Sequence, residues 1–288
     1  MVALCVSSGM LFPVNKYVLM LWGCLSLASL ASATSNDLAE QLLAAGTWHR
    51  LEQEACVFYS DTRTNLTDVA RTVARAGVEM DGWVGPAARL QARIFLVGQP
   101  AVWQQVIRRN GCREDSLAMQ WHDDLFILDD GKPVELSFRL AHEMAHWRLH
   151  KAFADSIPLW LEEGLAQQTG RRVAGLALPP PEPVGTPVFT VTELTTMTNY
   201  PPAEATGRRF YYQSELLLGL LTPRVGGARM PALLRDAVTL RQPLMDVLKS
   251  RFAWTGAELE ALEKALQKSS VPPKGIAFWS RPQDFLKK

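Results

Sequence analysis

Apolar side chains recur at helical spacing in several stretches of the chain, with short β-prone runs between them. "LTDVARTVARAGVEM" (66–80) has this spacing, and Asn65 or Thr67 is placed to cap it. "AVWQQVIRR" (101–109) repeats it up to the turn residues Asn110 and Gly111. A longer helical pattern covers 134–153, after a break at Asp130-Gly131-Lys132-Pro133, and another opens at Pro158 and stops at Gly170. "CVFYS" (56–60) and "ARIFLVG" (92–98) read as strands, and "SLAMQW" (116–121) with "DLFILDD" (124–130) reads as a hairpin around a polar turn at His122. "LAEQLLAAGTWHRLEQEA" (38–55) is helix-like in its first half. The Pro-rich stretch "LALPPPEPVGTP" (176–187) reads as a surface loop. A helix follows at about 208–221, and three more end the fold. The last has Thr255 and Glu258 spaced as a capping box. No internal repeat is visible. The order predicts an α+β fold, a mixed sheet backed by helices.

The first 33 residues form a separate segment. Lys16 precedes an uncharged apolar run, and Ala31 and Ala33 have the −3 and −1 spacing of a signal-peptidase site. The run is near the lower length limit for a bilayer-spanning helix, so the segment is read as a cleaved signal peptide or a membrane anchor. Met10 is an alternative start, and "LWGC" ending at Cys24 resembles a lipoprotein box, although Trp22 is bulky for one. The expected location is therefore outside the cytoplasm, periplasmic or secreted. The rest divides into a main unit (35–222), trailing helices packed on it (223–270) and a Pro- and Lys-bearing tail (271–288). Of the four cysteines, two lie beyond the leader, Cys56 and Cys112, and an oxidising compartment favours joining them.

Composition narrows the class. With 48% hydrophobic and 20% charged residues the chain can build a core, and a net charge of +1 argues against nucleic acid as a partner.

The candidate chemistry lies in "RLAHEMAHWRLHKAFADSIPLWLEEGLAQQTG", which holds three of the five histidines. His142, Glu143 and His146 spell H-E-x-x-H. On a helix, residues four apart share a face, so both imidazoles can reach one ion. Zinc accepts neutral imidazole nitrogen at about 2.0–2.1 Å and a carboxylate as third ligand. Without a metal, two buried imidazoles and a carboxylate would carry a desolvation cost of a few kcal/mol. His150 lies a further turn along the axis, roughly 6 Å, and cannot join the same ion. Leu149 and Ala152 occupy the glycine and histidine places of the longer H-E-x-x-H-x-x-G-x-x-H arrangement, which excludes that class. The third ligand then comes from Glu162 or Glu163. Only one of the two can point at the ion, because adjacent helical residues diverge by about 100°.

H-E-x-x-H followed by W-L-x-E-G resembles the gluzincin metallopeptidases, and most of all the small bacterial peptidase MA-like domains. Pro158, Trp160, Leu161, Glu163, Gly164 and Ala166 match the second motif of that group. The resemblance covers roughly residues 50–222 and implies a thermolysin-like zincin fold with one zinc held by His142, His146 and Glu163. It implies Glu143 as general base for water attack on a peptide bond, and a peptide or protein substrate. The group's later "Y-x-Q-S" segment matches Tyr211, Tyr212, Gln213 and Ser214. This implies Tyr211 as donor to the oxyanion, with Tyr212 the other candidate. The group also uses an edge strand beside the metal to pair with substrate, and either strand of the hairpin could serve. One position departs from thermolysin-like enzymes, which carry an acid four residues after the third ligand; here it is Gln167. The competing expectation is a non-catalytic domain of the same fold that binds a partner in the envelope.

Overall fold

A computed structural model describes residues 38–53, 56–86, 91–109, 116–153, 157–179, 188–202, 204–240 and 242–270, except the side chains of 204 and 240. The leader (1–33), Cys112 and hence the cysteine pairing, most of the Pro-rich loop, and the tail lie outside these residues. Among the described residues, no helix is long and apolar enough to cross a membrane.

The chain runs α1 (38–45), β1 (His49–Gln53), β2 (Cys56–Ser60), α2 (Leu66–Val84), β3 (Ala92–Val97), α3 (Pro100–Arg109), β4 (Ala118–Trp121) and β5 (Asp124–Leu128). It continues with α4 (Pro133–Phe153), α5 (Leu159–Ala174), α6 (Val191–Thr196), α7 (Glu204–Val225), α8 (Met230–Leu240), α9 (Leu244–Phe252) and α10 (Gly256–Ser269). The sheet order is β1-β2-β3-β5-β4. β2, β3 and β5 are parallel, while β1 and β4 close the two edges antiparallel. The fold is α+β with a mixed sheet.

Period-two alternation explains why β3 sits at the centre. Ile94 and Leu96 face one side, where they pack with Phe58, Leu125 and Ile127 against α2 and α4. Phe95 and Val97 face the other side, with Phe126, against α1 and α3. A strand buried on both faces reads as the continuous apolar run seen here. A second body of core, built by α5 to α10 around Trp160, Phe210 and Leu218, adjoins the sheet layers through α4 and α5.

Several elements differ from expectation. β1 is an additional strand. It is mostly exposed and polar, so no hydrophobic alternation announced it. α5 does not stop at Gly170 but continues to Ala174, where Gly175 ends it in a left-handed conformation (φ 71°). Gly170 instead permits close packing: a Cβ there would lie 2.9 Å from the Phe138 ring on α4. α6 is a short helix with its own capping box at Thr190 and Glu193. Asn65 caps α2, and Thr255 with Glu258 forms the box that opens α10.

α4 is the axis of the molecule. Its residues from Leu136 to Leu149 are mostly buried, because it lies between the sheet and the helical body. Three of its side chains fix it to the hairpin and the residues just after it. Arg139 donates to the Leu128 carbonyl (2.7 Å) and to both oxygens of Asp130 (3.0 and 3.1 Å). Trp147 donates to Asp123 in the hairpin turn (3.0 Å), and Lys151 pairs with the same carboxylate (2.5 Å).

Candidate metal centre

His142, Glu143 and His146 project from the middle of α4, and Glu162 and Glu163 from the first turn and a half of α5, which packs back along it. The buried Trp160 and Leu161 anchor the start of α5 in the helical core. This fixes the direction of the two residues that follow.

His142 Nε2 and His146 Nε2 stand 3.1 Å apart. Glu163 Oε2 is 3.7 Å from His142 Nε2, and Glu163 Oε1 is 3.6 Å from His146 Nε2. Ligand atoms around a tetrahedral ion at about 2.0–2.1 Å stand roughly 3.3 Å from one another. The separations lie near that value, the two from Glu163 running to its two oxygens, and one ligand atom from each residue lies within 4.8 Å of the others. The donor set also asks for a cation. Glu163 Oε2 is buried with no hydrogen-bond partner, and two imidazole nitrogens face each other. Only a proton or a cation between such groups offsets their repulsion. The residues therefore fit zinc.

The two glutamates have different tasks. Glu163 faces the Nε2 side of both rings, whereas Glu162 Oε1 lies behind His146, accepting from its Nδ1 at 2.7 Å. The same oxygen accepts from His150 Nε2 at 2.8 Å. His146, His150 and Glu162 thus make a second group of ligand type, sharing His146 with the first. Nδ1 of His142 is buried and closes no well-formed hydrogen bond, although the Ala166 backbone lies near enough to favour its protonated form. Gln167, half-buried on α5, makes no side-chain hydrogen bond among the described residues.

Charge distributes accordingly among the protein's own groups. Burial, then the neighbouring His146, holds His142 well below the usual imidazole range. Burial opposes charge on His146 too, but Glu163 and the bond to Glu162 outweigh it and lift its pKa to about 10. Glu162 is likewise opposed by burial, and its bonds from His146 and His150 bring it down to about 2. Glu143 accepts no such bond. Burial, only partly countered by His146, raises it to about 7.

One residue of the site carried no signal in the sequence pattern. Tyr200, in the segment between α6 and α7, donates its hydroxyl to Glu163 Oε1 at 2.5 Å. Burial and the Glu163 charge raise its pKa, which keeps the phenol protonated as a donor. Its ring lies 6.1 Å from those of both Phe210 and Tyr211. Tyr211 is therefore in the aromatic group that borders Glu163. Tyr212 turns away, donating to the Ser269 carbonyl on α10 (3.0 Å). Gln213 and Ser214 do architectural work. Gln213 clamps Phe189 through both its backbone groups, at 2.9 and 3.0 Å. The Ser214 carbonyl lies where Gly164 lets α7 approach, since a Cβ on Gly164 would come within 2.7 Å of it.

No family model matches the chain, and no curated protein does. Solved structures do. The M1 zinc metallopeptidase from Deinococcus radiodurans is similar over 79% of this chain and 53% of its own, at 17% identity and a TM-score of 0.44. Yeast LTA4 hydrolase is similar over 83% of this chain and 41% of its own, at 13% identity and a TM-score of 0.47. The chain spans about half the length of these proteins or less. At these values the likeness assigns no residue and no activity to the present chain.

Proposed function

We propose that the chain is an exported zinc metallopeptidase of the gluzincin type, with His142, His146 and Glu163 holding one zinc and Glu143 acting as general base. The observation that supports this reading is the approach of two imidazoles and a partnerless carboxylate oxygen to within 4.8 Å of one another, with Glu143 next to His142 on the same helix. Zinc bound there supplies Lewis acidity, polarising a peptide carbonyl and making water a stronger acid.

The chain's own residues do the rest. Glu143, which burial holds above the usual carboxylate range, takes the proton of the attacking water and hands it to the leaving amine. Tyr211 donates to the oxyanion of the tetrahedral intermediate. Of the two hairpin strands, β4 lies at an edge of the sheet and β5 is paired on both sides, so β4 is the one that takes an extended substrate backbone. Export rests on the leader at 1–33, and amino-terminal sequencing of the mature protein checks it. An intact Lys16 rules out cleavage.

The deciding experiment measures zinc by elemental mass spectrometry and cleavage of a peptide library, in the parent and in Glu143→Gln. Near one zinc per chain in both, with cleavage falling about 10²–10⁴-fold in the variant, is the expected result. Zinc without any cleavage in the parent favours the scaffold reading. A folded parent that refuses zinc removes the metallopeptidase reading altogether.

A further inference from the structure

We infer that Glu162 and His150 form a positioning chain behind His146, with Glu162 setting the aim and tautomer of the ring and His150 holding the Glu162 carboxylate in place. The inference rests on the zinc reading above and adds to it residues outside the ligand set.

Its basis is a single carboxylate oxygen shared by two imidazoles. Glu162 Oε1 lies 2.7 Å from His146 Nδ1 and 2.8 Å from His150 Nε2. An ionised carboxylate only accepts, so His146 must donate from Nδ1. In the neutral ring this leaves the lone pair on Nε2, the nitrogen directed at His142 Nε2 and Glu163. A charged acceptor also makes the ring a stronger donor to a metal than a neutral amide would. The helix geometry makes the arrangement possible. His146 and His150 are four residues apart on α4, hence on one face, and the first turn of α5 delivers Glu162 to the space between them.

The support is one-sided. His142 Nδ1 is buried with no partner of normal geometry, and Gln167 makes no side-chain hydrogen bond among the described residues. The negative charge behind the ligands is thus concentrated on His146. It is supplied by the residue just before Glu163, from the same helical turn. Glu162 and His150 act through His146 and are positioning residues, not catalytic ones.

The test measures zinc affinity by competition with a chromophoric chelator, and the visible absorption of the cobalt(II)-substituted protein. It uses the full chain and the variants Glu162→Gln, His150→Gln and the double variant. Thermal midpoints of the metal-free proteins control for folding. Glu162→Gln should weaken zinc binding by about 10–100-fold and shift the cobalt band. His150→Gln should weaken it by a smaller factor, and the double variant should be no weaker than Glu162→Gln alone. His150 is a third exposed at its side chain (35%), so its variant stays informative if Glu162→Gln misfolds. Single variants that bind zinc within about twofold of a zinc-binding parent overturn the inference, and additive losses overturn the route from His150 through Glu162. A parent that takes up no zinc is a separate failure, that of the metallopeptidase reading, and the inference falls with it.

Discussion

Glu163 has unequal oxygens: Oε1 accepts from Tyr200, and Oε2 is buried without a partner. The Tyr200 bond therefore marks which oxygen is spoken for and which is left to ligate. Tyr200→Phe should weaken zinc binding by about tenfold, the equivalent of one hydrogen bond to a charged acceptor, in a chelator-competition titration. Tyr211→Phe should instead lower kcat with zinc content unchanged, and unaltered turnover would sink its assignment. The histidines and Glu143 were legible because a helix turns a spacing in sequence into a shared face. Helical spacing alone left Glu162 and Glu163 open, and only the resemblance to W-L-x-E-G implied Glu163. The place of Glu162 behind the His146 ring follows from the packing of α5 and was not legible. Tyr200 could not be read at all, since a lone aromatic between Asn199 and Pro201 belongs to no periodic pattern.

At the scale of elements, α5 is held at contact distance on two sides, by α4 at Gly170 and by α7 at Gly164. Gly164→Ala would force a backbone carbonyl aside, and we expect a loss of about 1–3 kcal/mol in denaturant unfolding. Because Glu163 is the next residue, zinc affinity should fall with it. The Arg139–Asp130 pair ties α4 to the end of β5. Burial raises the Asp130 pKa, but the hydrogen bond and charge of Arg139 lower it further, so the net shift is downward. A depressed folded-state pKa contributes stability that is complete above the unfolded value and is lost as pH falls through the folded one. Asp130→Asn should therefore cost about 1–3 kcal/mol at neutral pH, and the gap to the parent should shrink below pH of about 4. A gap that is constant with pH would assign the loss to packing. Long periodic helices such as α2 and α4 were readable to within a few residues. β1 and α6 were not, because one has a single apolar residue, Leu51, and the other lasts under two turns. Gly170 was read as a helix stop because the residue type signals an ending, whereas here its missing side chain serves a neighbour.

Across the whole molecule, the proposed metal ligands bridge α4, which backs the sheet, and α5, which belongs to the helical body. A ligand that binds only the folded state stabilises it by RT ln(1 + [L]/Kd), about 2.7 kcal/mol at a hundredfold excess over Kd. Removing zinc with a chelator should then lower the thermal midpoint by roughly 5–10 °C for a protein of this size. Equal midpoints with and without metal would mean that zinc is not bound. The glycine contacts also predict how copies of this protein would diverge over time. A descendant that abandoned the metal could exchange His142 at little cost to the fold, and Glu163 at the cost of the acceptor it gives Tyr200. It could not exchange Gly164 or Gly170, whose positions are set by backbone and ring atoms of α7 and α4. In lineages that have lost the chemistry, the two glycines should outlast the ligands they stand beside.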